Sequence, residues 1–299
     1  SACSATPQPT QWQRVSDPVL RDPIAQENYE VASDPHVFMT QNNALRMVYS
    51  GDDAGVISIK LATGTDWQTW EPSQTLLGPS TGHALPRFKE TPFVHKSGSE
   101  YQIYFIGYAD ESTYESEIFL AVSDTVTGPY QILPDPVIPR GVLAGKKVHT
   151  ITSPSVIEHD GKLLIAFLGW NDFQNVSEVW VLGGESLDNG RTWRAIREVD
   201  VPIGMEGQIT PLPDGNFAAV STKAYKSREA IYMSMAPKPF GPYTKSPNPI
   251  LVQEGGPWET DELIAPQLAF DNVRGDYVLF YTGADHKKGW WVRMARPVF

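Results

Sequence analysis

The sequence predicts an all-β chain folded as a five-bladed β-propeller, and three observations predict it. A polar or acidic residue followed by Pro and an apolar run recurs at intervals of roughly 55–60 residues along the 299-residue chain. Polar turns separate apolar runs of strand length throughout, and helical periodicity is nearly absent. The two ends of the chain also complement each other, as closure of a ring requires.

The chain begins Ser1-Ala2-Cys3-Ser4 and continues as a polar, Pro-containing tether to residue 10. Ser-Ala-Cys is how a bacterial lipoprotein signal ends, with Cys3 as the lipidated residue. That reading predicts a secreted, periplasmic or cell-surface lipoprotein. The alternative is an arbitrary start with an incidental cysteine. Cys3 is the sole cysteine, so an internal disulfide is excluded. Residues 11–299 read as one domain without an internal boundary.

The inner strand of each repeat starts at Asp34-Pro35-His36-Val37, Thr91-Pro92-Phe93-Val94, Ser153-Pro154-Ser155-Val156, Gly207-Gln208-Ile209-Thr210 and Ala265-Pro266-Gln267-Leu268. A polar turn and a β-branched or aromatic run follow each one. Examples are His159-Asp160-Gly161 before Leu163-Leu164-Ile165-Ala166-Phe167, and Pro213-Asp214-Gly215 before Phe217-Ala218-Ala219-Val220. Asp-Gly between apolar runs is a strong hairpin signal. An outer segment comes last, as in Gly128-Pro129-Tyr130 leading to Pro136-Val137-Ile138.

The fifth outer segment is out of order. Trp12-Gln13-Arg14-Val15-Ser16-Asp17-Pro18-Val19-Leu20 matches residues 130–138 closely but precedes the first inner strand. The last repeat meanwhile stops after Trp290-Trp291-Val292-Arg293-Met294-Ala295. The N-terminal strand is therefore expected to complete the C-terminal blade, leaving only short, protected edges. Pro (25) and Gly (24) punctuate the chain as turn-rich β architecture requires.

The apolar fraction of 41% permits a sizeable core and argues against disorder. A formal charge of −11 with no Lys/Arg-rich run argues against a nucleic-acid partner. No apolar run reaches the length of a membrane span, so membrane attachment would run through Cys3 alone. A monomer is expected. The nine Trp, 12 Tyr and 12 Phe suit both a propeller core and a sugar-binding cleft. The six histidines show no zinc spacing, and no phosphate loop or nucleophile elbow is present.

Ser186-Leu187-Asp188-Asn189-Gly190-Arg191-Thr192-Trp193 is similar to the Asp-box of sialidases, here read as a structural turn whose Trp packs between blades. The repeat as a whole resembles the five-bladed propeller glycoside hydrolases, above all family 43 and its relatives. Asp34-Pro35, Glu206-Gly207 and the Gly-Pro-Tyr turns carry the resemblance, over nearly the whole chain. It implies Asp34 as general base and Glu206 as general acid. The sequence departs from that pattern twice. Gln208 stands where Glu-Gly-Pro has Pro, and Ser153 stands where blade three has an Asp that tunes the acid.

Glycosidic cleavage needs a protonated acid and a carboxylate on opposite faces of the bond. Blades one and four are non-adjacent, which favours the wider spacing of an inverting enzyme. Glu90, in Glu90-Thr91-Pro92, is read at the offset that Glu206 occupies, as the displaced third carboxylate or an alternate acid. Arg87, His149, Trp170, Ser153 and Glu262 are candidate substrate-binding residues around the cavity mouth, and Arg87 is a candidate partner for Glu90. His36 is given a structural role. No cofactor is expected. The resemblance leaves a calcium ion in the axial channel open, although blade five offers Leu263-Ile264-Ala265 where relatives carry a histidine. The substrate class is a plant or algal poly- or oligosaccharide, and the alternative is a non-catalytic glycan-binding propeller.

Overall fold

The computed structural model describes residues 11–80 and 85–299; the tether and Cys3 lie outside the described residues. No helix occurs among the described residues. Strand β1 (Gln11–Arg14) precedes five successive antiparallel units. The first comprises β2 (Glu30–Met39), β3 (Leu45–Asp53), β4 (Val56–Gly64) and β5 (Trp70–Leu77). In the second are β6 (Phe88–Ser97), β7 (Glu100–Tyr108), β8 (Glu117–Ser123) and β9 (Gln131–Ile132). A short hairpin, β10 (Gly141–Leu143) and β11 (Lys146–Val148), leads to the third. That unit holds β12 (Thr150–His159), β13 (Lys162–Trp170), β14 (Val179–Ser186) and β15 (Arg194–Glu198). The fourth has β16 (Met205–Pro211), β17 (Phe217–Tyr225), β18 (Arg228–Ala236), β19 (Thr244–Lys245) and β20 (Leu251–Val252). The fifth has β21 (Glu262–Asp271), β22 (Asp276–Asp285) and β23 (Gly289–Val298).

Strand β1 pairs antiparallel with β23, from Gln11 opposite Val298 to Arg14 opposite Ala295. A short parallel pairing of β23 with β2 at Glu30–Gly289 and Val31–Trp290 then joins unit five to unit one.

The apolar core is divided among the spaces between units. One cluster sets Val48, Ile59 and Leu61 of unit one against Ile103, Phe105 and Phe119 of unit two. Similar clusters lie between units two and three, three and four, and four and five. The last sets Met47, Tyr49 and Ala62 of unit one against Val278, Phe280 and Met294 of unit five. Each sheet thus buries both faces, which is why its strands read as continuous apolar runs. The Asp-box is the turn between β14 and β15. Asp188 accepts from Thr192 N (2.9 Å) and Thr192 Oγ1 (2.6 Å), and Trp193 meets Tyr104 of unit two edge-on at 6.1 Å.

The inner strands β2, β6, β12, β16 and β21 share one distortion. Each ladder skips at the repeated motif, so that two residues face one on the partner strand. The first of the two has positive φ in every unit: Asp34 (52°), Thr91 (53°), Ser153 (60°), Glu206 (54°) and Ala265 (53°). This is a β-bulge, which re-aims a side chain and bends the strand. The second residue is Pro in four units and Gly207 in the fourth. Gly207 is required there, because its N–H donates to Gly204 O (2.7 Å) and a Cβ would meet Val220 O at 2.2 Å.

The junction of the chain ends is held by a buried carboxylate. Fully buried Glu259 accepts from Arg14 of β1 (2.9 Å to each oxygen), Tyr281 (2.6 Å) and Arg293 of β23 (2.6 Å). Removing one member of such a network strands buried charge. Glu259→Ala is expected to lower the unfolding free energy by about 3–5 kcal/mol in denaturant titrations. A loss within the ±0.5 kcal/mol or so of a surface substitution would contradict this role.

Candidate active site

The five bulges lie at equivalent positions of the five inner strands, and the carboxyls of Asp34, Glu206 and Glu90 gather beside them. Asp34 is 5% exposed. Its Oδ2 accepts from Ser50 Oγ (2.6 Å) and Ser33 Oγ (3.4 Å), and its N–H donates to Thr282 Oγ1 (2.9 Å) on unit five. Ser50 Oγ in turn accepts from Thr91 N (2.9 Å). One hydroxyl therefore fixes both the Asp34 carboxylate and the bulge of the next unit. The strain of a left-handed non-Gly residue, about 1–3 kcal/mol, is offset by such contacts.

Glu206 is the apex of the unit-four bulge, so it is the repeat equivalent of Asp34. Its backbone N–H donates to Ser153 Oγ (3.0 Å). Its Oε2 is buried and without a hydrogen-bond partner among the described residues. Burial first, then the charge of Asp34 and a hydrogen bond shared with it, hold the Glu206 carboxyl well above the usual range; Glu90 and Glu262 add to this. Burial and the neighbouring charge thus favour the protonated form of Glu206.

Glu90 converges on the same place but not at the expected offset. The apex in unit two is Thr91, and Glu90 is one residue earlier, in the ladder opposite Ile106. Its side chain still approaches Asp34. Burial, then the Asp34 charge, push its carboxyl up to about 7, against the opposing hydrogen bonds from the Tyr114 and Tyr108 hydroxyls. Arg87 does not pair with Glu90 among the described residues. It is exposed, with its guanidinium 5.3 Å from the Phe88 ring centroid.

Two candidate binding residues serve the frame instead of the cavity surface. Ser153 is 1% exposed, and its hydroxyl is taken up by the Glu206 backbone. Trp170 is 8% exposed and donates to Thr152 Oγ1 (2.8 Å), so neither face is free for a sugar ring. His149 is partly buried, 3.1 Å from Thr150 Oγ1 and 3.4 Å from Glu115. Glu262 is at the rim, 3.1 Å from His286 Nε2. It also faces Glu229, whose carboxyl burial pushes up to about 7 against a hydrogen bond from Leu263 N, with the Glu262 charge adding to the rise.

Sequence reasoning missed Ser50, Tyr108, Tyr114 and Phe173. The last three form a continuous aromatic wall. Phe173, 40% exposed, stacks on Tyr114 at 4.5 Å; Tyr114 meets Tyr108 at 4.5 Å, and Tyr108 stacks on Phe88 at 5.2 Å. The wall ends on the tyrosine hydroxyls that hold Glu90. Nothing in the repeat pattern marks it, because Tyr114 and Phe173 lie on connections between strands.

The channel below the carboxylates is crossed by side chains. His36 Nδ1 lies 2.8 Å from Gln208 Oε1, and Gln267 bonds both Val37 N (2.8 Å) and Val37 O (3.0 Å). Beyond them, at the far ends of the inner strands, lies a mostly apolar cavity of about 670 Å³. Among the described residues no group of three or more His, Cys, Asp or Glu is placed to hold a metal ion. Calcium takes roughly six to eight oxygens. The inner ring at this level consists of His36, Phe93, Ser155, Gln208 and Gln267, and its polar members bond one another or the backbone. That set does not fit the ion.

No protein-family model and no curated protein matches this chain. Solved structures do. A family 117 glycoside hydrolase from the marine bacterium Zobellia galactanivorans superposes with TM-score 0.71 at 15% identity, over 96% of this chain and 90% of that one. A thermostable family-43 glycoside hydrolase gives 0.65 at 15% identity, over 90% of each chain. An N-acetylgalactosamine deacetylase from F. plautii, in complex with blood group B trisaccharide, gives 0.68 at 13% identity, over 94% and 95%.

The raised pKa of Glu90 ties stability to pH with a definite sign. The folded protein keeps a proton to about 7 that the unfolded chain releases near its ordinary 4.5. The associated stability is full below the lower value and is lost as pH rises through the upper one. Glu90→Gln is therefore expected to melt above wild type at pH 8 and to show no such gain at pH 4, by calorimetry. Equal melting shifts at both pH values would contradict the assignment. The likeness to these solved structures shows the fold: this chain has the fold of the family 43 and family 117 glycoside hydrolases.

Proposed function

We propose that the protein is a glycoside hydrolase, acting on a plant or algal poly- or oligosaccharide with Asp34 as base and Glu206 as acid. The five units are the blades of a single five-bladed propeller spanning residues 11–299, and β1 closes the ring as the outer strand of the last blade. The observation that carries the reading is the convergence of Asp34, Glu206 and Glu90 at one mouth, with Glu206 held protonated beside Asp34. A protonated carboxyl next to a carboxylate is the pairing that glycosidic cleavage uses.

In the reaction, Glu206 gives its proton to the glycosidic oxygen as the bond to the anomeric carbon breaks. Asp34, held by Ser50 and Ser33, takes a proton from the water that attacks the opposite face. Inversion needs roughly 6.5–9.5 Å between the two carboxyls, so the entering sugar and water separate a pair that is in contact without them. Glu206 is the member that moves: it gives up the contact with Asp34, and its Oε2 has no hydrogen-bond partner among the described residues. Glu90 stands in the second unit for the missing blade-three carboxylate, and the charge it carries as it ionises adds to that of Asp34 in keeping the acid protonated. Phe173 and Tyr114 offer an aromatic face to the apolar side of a sugar ring.

The fold alone does not settle the chemistry, since a deacetylase shares it. Ser153 in place of a carboxylate favours a second reading, a propeller that binds glycans without cleaving them. Turnover on a panel of plant and algal glycans separates the two. Asp34→Asn and Glu206→Gln are each expected to lower kcat by about 10²–10⁴-fold while sugar binding persists in calorimetric titration. Turnover of wild type is expected to fall at alkaline pH, as Glu206, which burial and Asp34 hold well above the usual carboxyl range, gives up its proton. Binding without turnover on the whole panel would establish the second reading. Where cleavage occurs, proton NMR should show the inverted anomer first; initial release of the retained anomer would exclude a single displacement.

A further inference from the structure

His36 and Gln208 occupy the same position in their repeats. Each lies two residues beyond its carboxylate and is the first residue to rejoin the ladder, His36 opposite Val48 and Gln208 opposite Val220. The five residues at this position are His36, Phe93, Ser155, Gln208 and Gln267, all buried, at 7% exposure or less. They form the floor between the acidic mouth and the cavity at the far end. Ser155 and Gln267 bond the neighbouring inner strand, at Ile209 N and at Val37. His36 and Gln208 differ, because β2 and β16 are not neighbours: β21 packs against both.

We infer that the His36–Gln208 hydrogen bond is a strut across the ring that sets the spacing of the Asp34 and Glu206 bulges. The bond spans 2.8 Å between strands separated by 172 positions in sequence. The ring of His36 is fixed on its other sides by Phe93, 4.2 Å between centroids, and by the Val94 carbonyl. Units one, two and four therefore meet at this imidazole. Above it on each side the chain passes through a two-residue bulge directly to a carboxyl. A lateral shift of either strand at the strut is carried to the carboxyl with little to absorb it. Gln208 also explains the departure from Glu-Gly-Pro. Proline there would have no side-chain polar group to meet His36, and glutamine does.

Burial leaves the imidazole neutral to about pH 4. A neutral ring has one N–H and cannot donate to both the Gln208 and Val94 oxygens. Gln208 Nε2 donates to Pro35 O (3.4 Å), so its Oε1 faces His36 and accepts from Nδ1 (2.8 Å).

The inference rests on Asp34 and Glu206 as the reacting pair, but its test reads the pair itself and needs no turnover. The groups facing Glu206 are Asp34 on β2, Glu90 on β6, Glu262 on β21, and Tyr114 ahead of β8. In carbon-13 NMR of the carboxyls, Gln208→Leu is expected to move the Glu206 titration down by about one pH unit or more, because Asp34 is no longer held beside it. Its melting temperature should stay close to wild type. His36→Asn, which keeps a donor toward Gln208, should move the titration less. Should Gln208→Leu fail to fold, Gln208→Asn, polar but one methylene too short, decides the matter by the same titration. With a substrate in hand, kcat should fall by about 10²-fold with KM unchanged. An unchanged Glu206 titration in a folded 208 variant overturns the strut, whatever the activity. A shifted titration in a protein that cleaves nothing would retain the strut and reject the hydrolase.

Discussion

Everything at the acidic mouth depends on the left-handed bulge at the head of each inner strand. A regular strand would alternate its side chains between the two faces of its own sheet and send none along the ring axis. The bulge breaks that alternation at Asp34, Thr91, Ser153, Glu206 and Ala265 and aims the apex side chain inward. None of these is glycine, so every apex is strained, and hydroxyl groups of neighbouring units oppose the strain in three of them. Thr282 accepts from Asp34 N, Ser50 from Thr91 N, and Ser153 from Glu206 N. The packing of the units and the site are therefore one construction. The contacts that dock a unit on its neighbour also fix the residue that carries a carboxyl.

The same bulge accounts for what the sequence made legible. Proline after the apex is favoured because it has no N–H to leave unpaired where the ladder is interrupted. Four such prolines at regular spacing revealed the repeat, and Glu206-Gly207 could be aligned with them although its second residue differs. The out-of-order segment at Trp12 was equally readable, since β1 does pair with β23. Glu90 shows the limit of this reasoning. A spacing rule tolerates an error of one, but a one-residue slip changes which side chain stands at the apex. Thr91 holds that position, and Glu90 reaches the site from the regular ladder.

The side-chain partners of these carboxyls could not be read from the repeat at all. Ser50 lies 16 positions from Asp34 and Tyr114 lies 24 from Glu90, on other strands or connections of the same unit. Ser153 is the clearest case. Against the family pattern it is a missing carboxylate; in three dimensions its hydroxyl holds the Glu206 backbone. The carboxyl that the pattern places in the third unit is found in the second, where burial and the Asp34 charge push Glu90 up to about 7. The acid-rich mouth is thereby preserved with its members redistributed among the units.

The central claim is that Asp34 and Glu206 face each other across a glycosidic bond. The most direct measurement is a crystal structure of Asp34→Asn soaked with an oligosaccharide that the protein binds. The account predicts a glycosidic oxygen within hydrogen-bond distance of Glu206, with the anomeric carbon turned toward residue 34 and room for one water between them. A sugar lodged in the cavity at the opposite end of the ring, with Glu206 still against residue 34, would contradict it.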